Sequence, residues 1–275
     1  MNKYRNEKLL KKTAYYILVY LIVFCVIFPF IWMVLSSFKL QNQMLNTKYL
    51  FRFDATLRNY FVVFSRYQFT RPIVNSFIIA SVSTLFSLVL GLPAAYAIAR
   101  YMFRKLGLVL LMVRMIPAIT FLVPWFVIFT FLGIVDTHLA LILAHMLVAL
   151  PFIVWVMVPY FESMPRELEE SAAIDGSSVL KSFLRIILPL SGPGLATSSI
   201  LSFVFSWNNF MFGMILSGRI TKTLPVAIYG FISYTDIDWG SIMAGSVIIT
   251  IPIIVISLVL QRYVISGLMA GAVKG

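Results

Sequence analysis

The 275 residues are 61% hydrophobic and only 12% charged, with a mean hydropathy of +0.95, leaving too few charges to coat a soluble domain of this length. The formal net charge of +12 invites a nucleic-acid partner, but the cations fall mainly in short polar segments between apolar runs, the signature of membrane topology, and no nucleic acid is expected. The implied solvent is lipid.

Six apolar stretches are predicted as membrane-spanning helices, near Tyr15–Leu35, Ile73–Ile98, Leu108–Leu132, Leu139–Tyr160, Gly192–Leu216 and Ser241–Leu260. Each supplies the roughly 20 helical residues that cross a hydrocarbon core of about 30 Å. Their unbroken apolarity favours helices, because barrel strands alternate over segments of about 10 residues. The first stretch follows Lys11 and Lys12 but has no small-x-small cleavage pattern after it, so it reads as an anchor rather than a signal peptide. It contains the lone cysteine, Cys25, which excludes an intrachain disulfide and suits an apolar packing position.

Thirteen Lys and Arg lie on the side of the two termini, including Lys3, Arg5, Lys8, Arg100, Arg104, Lys105, Arg166, Lys181 and Arg185, against eight on the other side. That bias predicts cytoplasmic termini. The chain is expected to be one membrane domain over residues 1–275. Between the first two spans, Lys39–Pro72 carries Phe51, Tyr60, Phe61, Phe64, Tyr67 and Phe69. These suit an interfacial aromatic belt, or a lateral helix against a partner.

Pro117 and Pro124 in the third span and Pro151 in the fourth predict broken, cavity-lining helices. Arg114 and His145 stand inside spans. Arg114 can reach the headgroups on its long stem, and His145 can bond a neighbouring helix or serve a proton relay. No Asp or Glu falls within a span, which argues against proton- or sodium-coupled transport. His138 and His145 are the only histidines. With no metal or nucleophile cluster, a membrane enzyme is disfavoured.

The polar segment at about 162–188 is the most informative. Met164–Asp175 reads as a helix with Pro165 at its first position and Glu167, Glu169 and Glu170 at its positive end. Gly176 can take the left-handed conformation that ends a helix, and Ser177 or Ser178 can cap the next, which Pro189 is expected to stop. The bland alternative is an amphipathic helix that braces the bundle.

Glu170-Ser171-Ala172-x3-Gly176-x9-Ile186-x-Leu188-Pro189 resembles the EAA loop of binding-protein-dependent ABC importer permeases, with Ser171 in place of the usual first alanine. Phe28-Pro29-Phe30-Ile31-Trp32, Ser36-Ser37-Phe38-Lys39, Asn75-Ser76, Ala94 to Arg100, Trp207-Asn208 and the ending Gly267 to Gly275 are similar to the second, maltose-permease-like subunit of carbohydrate importers. The resemblance implies an all-α, six-helix, type I importer permease in a prokaryotic inner membrane. It also implies a heterodimer with a second permease, two copies of an ABC ATPase and an extracytoplasmic solute-binding protein. Glu167, Glu170, Ser171, Ala172, Asp175, Gly176 and Ser177 would form the ATPase-coupling segment, and Gly267–Gly275 would reach between the ATPases. A Gly-x4-Gly-Lys-Ser/Thr phosphate loop is missing from this sequence, so ATP and Mg are expected on partner chains and this subunit is expected to be non-catalytic.

Sugar recognition needs aromatic faces and hydrogen-bonding groups together. Trp207, Asn208, Asn209 and Phe210, midway along the predicted fifth span, supply both, although amides also bond between spans. Tyr234, Asp236, Asp238 and Trp239 in the loop Ser217–Gly240 would meet the binding protein, or simply belong to a connector. The expected solute is a di- or oligosaccharide or a glycoside such as trehalose or maltose. The alternatives are a glycerol-phosphate-type or other solute and, in another class, a secondary transporter or channel.

Overall fold

The structure is a computed structural model describing residues 2–101, 103–232 and 237–272. It is helical, and among the described residues β pairing is limited to the isolated bridge between Ile232 and Ile237. Its long elements are α1 (Asn2–Ser37), α2 (Thr70–Tyr101), α3 (Arg104–Met115), α4 (Leu122–Phe131), α5 (His138–Glu162), α6 (Glu167–Ile174), α7 (Val179–Leu190), α8 (Gly192–Trp207), α9 (Met211–Leu216) and α10 (Trp239–Ala272). Among the described residues, four helices are individually long and apolar enough to span a bilayer, and the number rises to six when each of two bent pairs is counted as one span.

The first pair carries the break expected from proline in the third span, and the second departs from the continuous fifth span read from sequence. The third breaks between α3 and α4 with a bend of 91°, where Ile116 turns extended ahead of Pro117, the conformation that a following proline favours. The fifth is assembled from α7 and α8, bent by 79°, and α8 ends at Trp207 instead of running to Leu216. Pro189 does not stop its helix. The turn over Phe183–Ile187 is a π-turn, with the Leu188 N–H donating to the Phe183 carbonyl, and the helix runs on to Leu190. The widened turn admits a residue that has no N–H of its own. Pro151, by contrast, lies inside a continuous α5.

The chain divides into two compact units. The first holds residues 1–68 and 228–249. None of α1's apolar window is buried within the chain, against half of α5's, so α1 needs lipid or another subunit to cover it. Beyond α1, Asn59 of the short helix Arg58–Ser65 donates Nδ2 to the carbonyls of Ser37 (2.8 Å) and Lys39 (2.7 Å). The Tyr60 and Ser37 hydroxyls lie 2.8 Å apart. Lys39 is buried, donates to the Leu50 carbonyl at 2.8 Å, and sits 4.4 Å from the Trp32 ring centre. Burial lowers its pKa. Of the expected aromatic belt, Phe69 is buried and Tyr60 and Tyr67 are half-buried, while Phe51, Phe61 and Phe64 stay exposed.

The second unit, residues 69–227 and 250–275, is built on α2, α5 and α8. Contacts of Asn75 with His138 and of Tyr96 with Phe161 make α2 and α5 parallel. Gly194 against Tyr160 and Ser206 against His145 make α8 antiparallel to α5, and so to α2. One apolar cluster, with Ile79, Phe129, Leu141 and Phe212, fills one end; another, with Tyr96, Ile153, Phe161 and Phe183, fills the other. Between them lies a polar layer: Ser206 Oγ is 2.6 Å from His145 Nδ1 and 3.2 Å from Ser83 Oγ. His145 thus bonds a neighbouring helix. Arg114, in the last turn of α3, stacks 4.1 Å over the Trp155 ring.

Gly194 is required where α8 meets α5, because a Cβ there would fall 2.7 Å from Tyr160 Cδ2 and 2.9 Å from Cγ. We expect Gly194→Ala to cost about 1–3 kcal/mol through overpacking, seen as a lowered thermal midpoint of the purified protein. An unchanged midpoint would mean that Tyr160 moves aside freely.

Candidate functional site

The polar segment folds as an elbow. α6 begins after the cap at Arg166, later than the predicted Met164, and carries Glu167, Glu169 and Glu170 in its first turn, where negative charge complements the helix dipole. Its end is a Schellman motif. The Gly176 N–H donates to the Ala173 carbonyl at 3.0 Å and the Ser177 N–H to the Ala172 carbonyl at 2.9 Å, and Gly176 has φ +78°. This left-handed corner favours glycine, since a Cβ would crowd the neighbouring carbonyl. Ser178, rather than Ser177, caps α7, accepting from the Lys181 N–H at 3.4 Å.

The two faces of α6 differ. Ala172 is buried and Glu169 points inward, while Glu167, Glu170, Ser171, Asp175 and Gly176 are exposed and Ser177 is half-buried. Arg100 Nε lies 2.8 Å from Glu169 Oε2, and the Tyr96 hydroxyl donates to Glu169 Oε1 at 2.5 Å. A cavity of about 230 Å³ opens beside this pair, with Arg166, Glu170 and Ser177 among its lining. At the corner stand three apolar residues that sequence reasoning passed over: Ile174, 87% exposed, with Val179 and Leu180. An uncovered aliphatic tip ringed by carboxylates is suited to entering another protein's cleft. Its sequence signal was an isoleucine in an otherwise polar corner.

Trp207 to Phe210 are not midway along a helix but at a break. Trp207 is buried, its ring stacked on Phe203. Asn208 is the exposed C-cap of α8. Asn209 Oδ1 accepts the Phe212 N–H at 3.0 Å, closing the first turn of α9, and Phe210 is partly exposed. Irregular backbone at membrane depth is tolerated where it is buried in protein or lines a polar cavity. Asn208-Asn209, two poor helix formers that compete with the backbone for hydrogen bonds, are the local cause.

At the opposite end of α5, Asp136 has φ +58°. Its carboxylate accepts from the N–H groups of Gly218 (2.8 Å), Ile220 (3.0 Å) and Thr221 (2.9 Å) and from the Thr221 hydroxyl (2.7 Å). Burial acts to raise its pKa, but these bonds outweigh it and hold the group at about 2. Asn75 donates Nδ2 to the carbonyls of Ile220 (3.0 Å) and Lys222 (3.1 Å). The loop is thereby fixed with Arg219 and Lys222 outward.

Of the later loop residues, Asp238 caps α10, accepting from the Ser241 N–H (3.0 Å) and hydroxyl (2.7 Å), and Trp239 is partly exposed. Tyr234 and Asp236 lie outside the described residues.

Residues 87–269 match the family described as "Binding-protein-dependent transport system inner membrane component". The chain belongs to this family. It is 38% identical over 277 residues to the trehalose/maltose transport system permease protein MalG of Thermococcus litoralis, covering 98% of this chain and 99% of that protein. It is 35% identical over 271 residues to the trehalose transport system permease protein SugB of Mycobacterium tuberculosis, covering 96% and 98%. Among solved structures, a chain of a bacterial ABC transporter involved in import of the acidic polysaccharide alginate superposes with a TM-score of 0.75 at 22% identity, covering 92% of this chain and 95% of that one. The fold is that of a type I ABC importer permease, and the protein is a multi-pass membrane protein. Both the elbow and the helix break lie within the matched region.

Proposed function

We propose that this chain is one of two permease subunits in an ATP-driven sugar importer, and that the elbow over Glu167–Ser178 receives the stroke of a cytoplasmic ATPase. The observation that carries the reading is the elbow itself: an exposed acidic face and the bare Ile174 tip, held at a fixed angle by Gly176. The termini and the elbow then face the cytoplasm. ATP and Mg belong to two ATPase copies that dock on this chain and on the second permease. Glu170 offers its carboxylate to a cationic group on the ATPase, Asp175 adds negative charge at the corner, Ser171 lets the helix approach the partner closely, and Ala172 seats it against this chain. ATP binding favours the outward-facing arrangement by its differential affinity for the two states, and hydrolysis reverses it.

The relatives that transport trehalose and maltose support a di- or oligosaccharide, or a related glycoside, as solute. Asn208 and Phe210 at the helix break are the side chains best exposed to contact it, with Trp207 and Asn209 building the break. The region of Asp238 and Trp239 faces the extracytoplasmic binding protein. Reconstituting both permeases and the ATPase in vesicles with ATP on the ATPase side tests the reading. Labelled trehalose or maltose is expected to accumulate only when ATP and the loaded binding protein are both present. Accumulation without ATP would overturn it.

A further inference from the structure

We propose that Tyr96 and Arg100 are positioning residues that bolt α6 to the end of α2, so that a push on the elbow moves the span Thr70–Tyr101 as one body with it. The inference rests on the coupling role proposed above and assigns its path. α6 is joined in sequence to α5, through the short connector Ser163–Arg166. Covalent continuity alone would deliver the push there. Arg100 redirects it. Its Nε pairs with Glu169 at 2.8 Å, its Nη2 donates to the Met164 carbonyl in the connector at 3.2 Å, and the paired side chains are only 6% and 17% exposed. One guanidinium thus holds both the helix and the segment leading into it.

Tyr96 stands one turn before Arg100, on the same face of α2. Its hydroxyl binds the second Glu169 oxygen, and its ring lies 4.8 Å from that of Phe183 and 5.9 Å from that of Phe161. Span, elbow and the second arm of the elbow therefore meet at one ring and one carboxylate. Arg100 and Tyr96 together hold the Glu169 carboxylate inward, away from an incoming partner. Glu170, about 100° further round the helix, is exposed and can meet one. The two neighbouring carboxylates divide the work: Glu170 receives and Glu169 transmits. A half-dry, geometrically fixed ion pair contributes little to net stability but sets register, because losing one partner strands the other charge.

The test is solute imported per ATP hydrolysed by the complete complex in vesicles, with assembly checked by size exclusion. Arg100→Gln and Glu169→Gln are expected to lower that ratio about tenfold while basal hydrolysis stays within about twofold, the size of a typical coupling free energy. Tyr96→Phe deletes one hydroxyl, keeps the ring packing, and is expected to lower the ratio about threefold. It carries the test if a charge variant fails to assemble. The reversed pair, Arg100→Glu with Glu169→Arg, is expected to import more per ATP than either single variant. Assembled variants that all keep the parent ratio would overturn the clamp. A parent complex that imports nothing with ATP would instead remove the coupling role on which the clamp depends.

Discussion

Gly176→Val in the assembled importer is expected to cut the stimulation of ATP hydrolysis by the loaded binding protein about tenfold or more, and Gly133→Val is not. Both glycines are left-handed, with φ of +78° and +68°, and beyond its own chain neighbours neither has an atom within 4 Å of where a Cβ would stand. Valine at either position therefore carries a similar backbone strain, on the order of 1–3 kcal/mol. Gly176, however, sets the angle between α6 and α7, while Gly133 turns the chain between α4 and α5. Strain relieved by opening the corner moves Glu170 and Ile174 together, and a shift of this kind at a docking site removes coupling on the scale of 1–3 kcal/mol. Glu170→Ala should do the same without strain. Equal loss at both glycines would mean that general destabilisation, not the elbow's angle, is being measured.

Asp136→Ala is expected to destabilise the loop end of the bundle by about 2 kcal/mol or more, because four donors lose their acceptor at once. The same bonds give a pH signature. The folded pKa of about 2 lies below the ordinary 3.8, so the group's contribution is fully present above pH 3.8. It is lost as pH falls toward 2. After allowing for solvent screening, that contribution is roughly 1 kcal/mol. Thermal unfolding of the purified complex between pH 6 and pH 3 should show the parent losing stability faster than Asp136→Asn at the acid end. Parallel curves would mean the carboxylate is not held by these donors in solution.

The elbow was legible from the chain because its grammar is local: acids in a first turn, glycine at a corner, serine at the next cap. The bend at Pro117 was legible for the same reason. Pro189 misled, since proline's local rule yields when a π-turn just before it reshapes the hydrogen bonding. The break at Asn208 was hidden by apolar flanks that read as one span. Arg100 with Glu169 and Asp136 with Thr221 were invisible because each joins residues far apart in sequence, and a charge pattern gives no register for helices that meet only in the fold. His145 was ambiguous until Ser206 supplied its partner.

The most direct measurement of the elbow's role places a photo-reactive benzophenone side chain at position 174 in the complete transporter. Illumination is expected to yield an adduct with the ATPase subunit, in an amount that changes when ATP is bound. A complex that hydrolyses ATP in response to its loaded binding protein, yet gives no ATPase adduct from position 174 in any nucleotide state, would contradict the account.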